Sequence, residues 1–466
     1  MKKLLFPVII GWLAVALLVG LSRAEEADVE KDPLAYALQL AQTLQYPGDK
    51  AWALIGVAES YVEVGEREKG LEILSQAVEV AKRIDYDDLN KASSLTEMAV
   101  KYAEAGEKDK ALEILSQALE PARNLASGLI KNTDEMAKIG GKYAEFGEKA
   151  KASKILSEAL YLAKKIEDAH SKAKAFAIIA DKFAESGEQE EAREILSEAL
   201  EVAKTVRHPV FKAPAFAQIA MSYVKVGDED RAFEILSEAF ELAKRIRHPF
   251  HRTTKLSDIA TKYAQAGQYH QALEVANTIK VLSYKGGALA EIVTNYAEAE
   301  EYDRALELAK TIEDAHNKAE ALTVIADKYF EAGEKDKASE ILSEGLQAAK
   351  TIQRRADVKA WALARIAGKY AAAGEKDKAL QILSQALEAA RAIEYYRFRD
   401  WPYAKIAVEY AQAGEYHQAL EVVKTMEDVG NKAETLAKIG LVYAQAGVKV
   451  DEKAKKILRE IIEDLE

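Results

Sequence analysis

Residues 102–115 read Tyr-Ala-Glu-Ala-Gly-Glu-Lys-Asp-Lys-Ala-Leu-Glu-Ile-Leu, and residues 370–383 repeat the phrase almost letter for letter. It joins an aromatic residue, a glycine four places on, a charged run and an Ala-Leu pair. Working outward, the phrase recurs eleven times, with its glycine at Gly65, Gly106, Gly147, Gly187, Gly227, Gly267, Gly333, Gly374, Gly414 and Gly447, and with Glu300 in its place once. Successive copies stand 40 or 41 residues apart, or 33. A period in this range marks supersecondary units that stack, each burying the face its neighbour exposes.

Four residues before each glycine stands Tyr or Phe, from Tyr61 to Tyr443; seven before it stands a small residue such as Ala58, Gly140 or Ala367, with Val293 the exception. Eight and eleven before it come apolar residues such as Val57 and Leu54. These offsets share one face of a helix, which predicts a first helix in every unit. Past the glycine a polar run, usually Glu-Lys-Asp-Lys or similar, leads to an alanine such as Ala111, Ala272 or Ala379, which opens a second helix. Glycine suits the left-handed end of the first helix, and carboxylates suit the positive amino end of the second. The 33-residue units lack about two helical turns, so their second helices are predicted to be short.

This pattern resembles the tetratricopeptide repeat, a helix-turn-helix unit with the same order of large apolar, aliphatic, small, aromatic, glycine and alanine positions. The resemblance covers residues 33–466 and implies an all-α, right-handed superhelical solenoid of about eleven units. Alanine is commoner than glycine at the small position, and the usual proline after the second helix is missing. Residues 33–46 and Asp451–Glu466 read as helices capping the two ends, with charge on the exposed face of the last.

At the amino terminus, Lys2-Lys3 precede an apolar run from Leu4 to Leu21 and then Ser22-Arg23-Ala24, which reads as an export signal cut after Ala24. The organisation expected is a signal at 1–24, a short linker at 25–32 and one continuous solenoid at 33–466. The alternative is that residues 4–21 stay as a membrane anchor; either way the body lies outside the cytoplasm, in the periplasm or beyond.

Composition narrows function. The net charge of -12 argues against nucleic acid, whose phosphates need clustered cations. No cysteine is present, which removes disulfides, thiolate metal sites and cysteine nucleophiles. Carboxylates follow the repeat instead of pairing at one place, and no phosphate loop, nucleophile elbow or zinc motif occurs, so neither catalysis nor a cofactor is expected. The corners Arg207-His208-Pro209 and Arg247-His248-Pro249, with His251 nearby, lack a carboxylate to complete a ligand set and read as solvated turns where proline ends a helix.

By the resemblance, first-helix residues ten, six, three and two before each glycine line a groove, mostly with alanines such as Ala177, Ala364, Ala103 and Ala371. Larger candidates for partner contact are Trp52, Trp361 and Trp401, with Met221 and Phe330 deeper in. The tryptophans have a second reading, packing on the preceding second helix. The carboxylate clamp of chaperone-docking relatives needs Lys and Asn, whereas the matching level here carries Glu59, Asp181 and Asp327. The reading is an exported, non-catalytic envelope scaffold for a protein partner, with a self-assembling structural protein second and an enzyme last.

Overall fold

The computed structural model describes residues 33–85, 87–124, 128–353, 355–394 and 398–463; the segments expected to be signal (1–24) and linker (25–32) lie outside them. The first helices, termed A, are Pro47–Glu63, Asp88–Glu104, Leu129–Glu145, Ala169–Ser186, Pro209–Lys225, Pro249–Gln265, Leu282–Glu298, Ala315–Glu331, Ala356–Ala372, Asp400–Gln412 and Val429–Gln445, and they number units 1 to 11. The second helices, B, are 16 residues long in unit 1 (Arg67–Lys82) and its long relatives. They shrink to Tyr269–Thr278, Tyr302–Lys310 and Tyr416–Lys424 in the short units, as the 33-residue spacing predicts.

The predicted faces are buried. Leu54, Val57, Ala58 and Tyr61 of unit 1 are at most 1 % exposed. In five of the seven long units a cation four residues after the glycine lies over the tyrosine ring, as with Lys69 on Tyr61 at 4.4 Å and Lys378 on Tyr370 at 3.9 Å. Short units place a tyrosine two residues after the turn, and it packs on the tyrosine of the next A helix: Tyr269 on Tyr296, Tyr302 on Tyr329, Tyr416 on Tyr443. A buried tyrosine hydroxyl ordinarily finds a hydrogen-bond partner. Tyr102 does donate to the Leu71 carbonyl at 3.3 Å, but the hydroxyls of Tyr143 and Tyr223 are buried without a hydrogen-bond partner, so the ring and not the hydroxyl holds the position.

Glycines at the A–B turn take positive φ, 85° at Gly106 for example, and Glu300 is forced to 62° in the same place. A side chain there costs about 1 kcal/mol. His208 and His248 precede Pro209 and Pro249, which begin A helices rather than end B helices, because proline at the first helical position has no N–H to lose.

Each A helix packs on the next, and successive B helices make no comparable contact. The A helices therefore form the inner wall and the B helices the outer. The series does not stop at unit 11: Val429–Gln445 packs on Pro47–Glu63, the A helix of unit 1. Unit 11 takes its B helix from the other end of the chain, the leading helix Pro33–Thr43. A Cβ at Gly440 would sit 2.7 Å from Leu34 Cγ, just as one at Gly140 would sit 2.7 Å from the B-helix residue Leu156. The solenoid is thus a closed ring. The leading helix touches unit 1, as a cover would, but its main partner is the last unit. The closing helix Glu452–Glu463, which follows unit 11, packs instead on Tyr416–Lys424, through Ala454, Ile457, Leu458 and Ile461 and a Lys424–Glu460 pair at 2.6 Å. Closure leaves no uncovered repeat face for end-to-end stacking.

Gly56 faces Glu434 across the seam, a Cβ there lying 3.8 Å from Glu434 Cγ. Gly56→Cys/Glu434→Cys in this cysteine-free chain should oxidise to a covalent circle whose mobility on a denaturing gel reverts with reductant; absence of the shift would mean an open solenoid. Glu300→Gly should raise stability by about 1 kcal/mol in denaturant unfolding.

Candidate functional site: the inner wall of the ring

Each residue advances 100° around a helix, so positions two, five, nine, thirteen and sixteen before the glycine lie opposite the face packed on the B helix. They form the lining of the ring. Most groove alanines expected from the resemblance are not there: Ala177, Ala217, Ala364, Ala437, Ala264 and Ala411 are buried. Neighbouring A helices lie close enough for alanine to become the contact between them.

The lining is laced by ion pairs between units. Lys101 meets Glu59 at 2.7 Å, Lys225 meets Asp181 at 2.7 Å, Lys369 meets Asp327 at 3.0 Å and Arg365 meets Glu320 at 3.4 Å. The three carboxylates at the clamp level are thus neutralised by the next unit. Burial pushes the Asp327 carboxyl above its usual value against the pull of Lys369.

Where a unit has glycine at this level, the neighbour's side chain fills the space: Lys182 lies over Gly141, and Glu409 over Gly368, where any Cβ would collide with it. Glu409 is 3 % exposed, pairs with Lys405, and leaves Oε2 without a hydrogen-bond partner. Burial pushes its carboxyl above the ordinary range, opposed by Lys405 and Lys369.

Trp361 and Trp401 stack on each other, ring centres 5.4 Å apart and planes 11° off parallel, with the Arg365 guanidinium 5.4 Å from the Trp361 ring. Trp401 is 61 % exposed, which excludes packing on a B helix. Phe398 stands exposed three residues earlier. Closure adds a third tryptophan: unit 1 follows unit 11, so Trp52, 41 % exposed and donating to Asn90 at 3.2 Å, joins the same arc beyond Glu434. Met221 and Phe330 are half-buried and lie in other units. Among the described residues no group of His, Asp and Glu is placed to hold a metal ion, and no helix is long and apolar enough to cross a membrane.

An all-α array of helical hairpins with these repeated contacts is a repeat solenoid. The tetratricopeptide repeat family model matches residues 49–124, which span the first two units of the array. Similar solved structures include Ton1535 from Thermococcus onnurineus NA1 (19 % identity, 74 % of this chain and 99 % of that one, TM-score 0.36). BtubC (BKLC) from P. vanneervenii shares 15 % identity over 52 % of this chain and 90 % of its own, TM-score 0.30. Aspartyl phosphate phosphatase F from Bacillus subtilis shares 14 % over 82 % and 94 %, TM-score 0.27. No curated protein matches the chain.

A carboxyl raised by burial stabilises the fold at low pH, and that stability is lost as pH rises through the folded-state value. Glu409→Gln should therefore be more stable than the parent at neutral pH, by about 1 kcal/mol, and the gap should vanish near pH 4 in unfolding curves.

Proposed function

We propose that this protein is an exported, non-catalytic scaffold of the cell envelope that holds a partner protein on the inner wall of its ring. Tetratricopeptide repeats generally bind proteins, and the amino-terminal segment with its basic pair, apolar run and Ser22-Arg23-Ala24 supports export. The observation that carries the site is the Trp361–Trp401 stack. Two indoles held face to face against Arg365 offer rigid apolar area with little conformational entropy left to lose, as binding hot spots do. The partner's contact is an extended or helical segment that buries an apolar side chain on the stack, with Trp52 extending the platform across the seam.

Affinity capture from envelope extract, comparing the parent with Trp361→Ala/Trp401→Ala, tests this. A partner recovered by the parent and lost in the variant is expected. Recovery of the same proteins by both forms would remove the stack as the site, and recovery of the protein alone would favour self-association.

A further inference from the structure

Eleven large apolar side chains stand exposed among the described residues, and all but Tyr161 and Val448 lie at the amino ends of A helices or just before them. The A helices all run the same way around the ring, so these side chains project from a single rim. The opposite rim carries the Gly-Glu-Lys-Asp turns.

The rim's charge is uneven. In units 5 to 7 the B-to-A connections 204–213, 244–253 and 277–286 hold nine Lys and Arg and no Asp or Glu, although the whole chain carries -12. Lys204 and Lys244 pair with Glu201 and Glu241 one turn back. Among the described residues Arg207, Arg245, Arg247, Lys280 and Lys285 make no ion pair. Between these cations project Phe211 (51 % exposed), Phe250 (55 %), Val281 (45 %) and Leu282 (51 %). Inward of Phe211 a cleft of about 460 Å³ opens between units 4 and 6, lined by His170, Lys174, Gln218, His251 and Lys255. The Lys255 ammonium is 3.3 Å from Asp258, and the His170 Nδ1 is buried without a hydrogen-bond partner.

We infer that this arc of the rim docks on an anionic phospholipid bilayer, its apolar tips entering the acyl boundary, its arginines and lysines among the headgroups, and the cleft taking a headgroup phosphate. An acidic protein would satisfy the cations but press four convex apolar side chains against a polar surface. Nucleic acid needs free aromatic faces, and here Phe211 packs on His170 at 5.6 Å and Phe250 meets Tyr284 edge-on at 6.1 Å, while Val281 and Leu282 cannot stack. The boundary between headgroup and acyl chain accepts both kinds of side chain at once.

The chain from Glu25 onward contains the whole ring and can be sedimented with phosphatidylcholine vesicles, with and without phosphatidylglycerol. Binding only to the anionic vesicles is expected, weakening as salt rises. Phe211→Ser/Phe250→Ser/Leu282→Ser should reduce it by roughly tenfold or more, with an unchanged melting curve because these side chains are exposed. Arg207→Glu/Arg245→Glu/Arg247→Glu should abolish the salt dependence together with binding. Equal affinity for neutral vesicles, insensitivity to both variants, or no sedimentation would overturn the inference. So would a single-stranded oligonucleotide or polyglutamate that binds the parent, and not these variants, where vesicles fail.

Discussion

The approach of an A helix to its B helix across one small residue is the contact on which everything else rests. Alanine or glycine seven places before the turn lets the helices come close enough for leucine on one to cover the other. Made nine times across alanine or glycine, and once across Val293 in unit 7, the contact builds an arc. Made once more, between Gly440 and Leu34 from the two ends of the chain, it turns the arc into a ring. Closure needs no new chemistry. It needs the chain to begin with a B helix that lacks its own A helix and to finish its repeats with an A helix in need of a partner.

That arrangement changes how the ends behave. In an open solenoid the terminal units have one neighbour and fray first, since stability is shared between adjacent repeats. In this ring the first and last A helices have two neighbours each. The helix Glu452–Glu463 is then free of the inner array and braces the outside of the seam, holding Tyr416–Lys424 through Ile457, Leu458 and Ile461. Opening the ring would uncover the apolar surface of Val429–Gln445 and of the leading helix together, so the seam is held by burial and not by the surface ion pairs around it, each worth well under about 1 kcal/mol.

Legibility in the sequence followed range. The period, the faces and the short second helices are local, and Tyr102-Ala-Glu-Ala-Gly106 with its ten relatives declares them. Closure is a contact between residues some four hundred apart and looked like two caps. A signal did exist: Leu34, Ala37, Ala41 and Leu44 repeat the spacing of Leu74, Ala77, Ala81 and Ile84, the latter half of a long B helix. For the site, the tryptophans were legible as candidates, but whether they faced the wall or the core depended on how neighbouring A helices are rotated, which no single unit encodes. The alanines failed for the same reason, because in the ring they sit between helices. Trp52 belonged with Trp401 only once unit 1 was known to follow unit 11.

The ring also separates its two unusual arcs. Units 5 to 7, cationic and convexly apolar, are separated from the seam by four units in either direction, and the tryptophan arc of units 9, 10 and 1 lies across the opening from them. On an open superhelix those regions would be displaced along the axis as well as around it. In a closed ring they share one rim and one rigid frame, braced from unit to unit by pairs such as Lys225–Asp181 and Lys369–Asp327. A body held at one edge of such a frame presents its opposite edge at a set distance, without a linker whose flexibility would dilute the effective concentration there. Ring closure therefore converts a repetitive chain, which has no intrinsic sidedness, into one with two distinct edges.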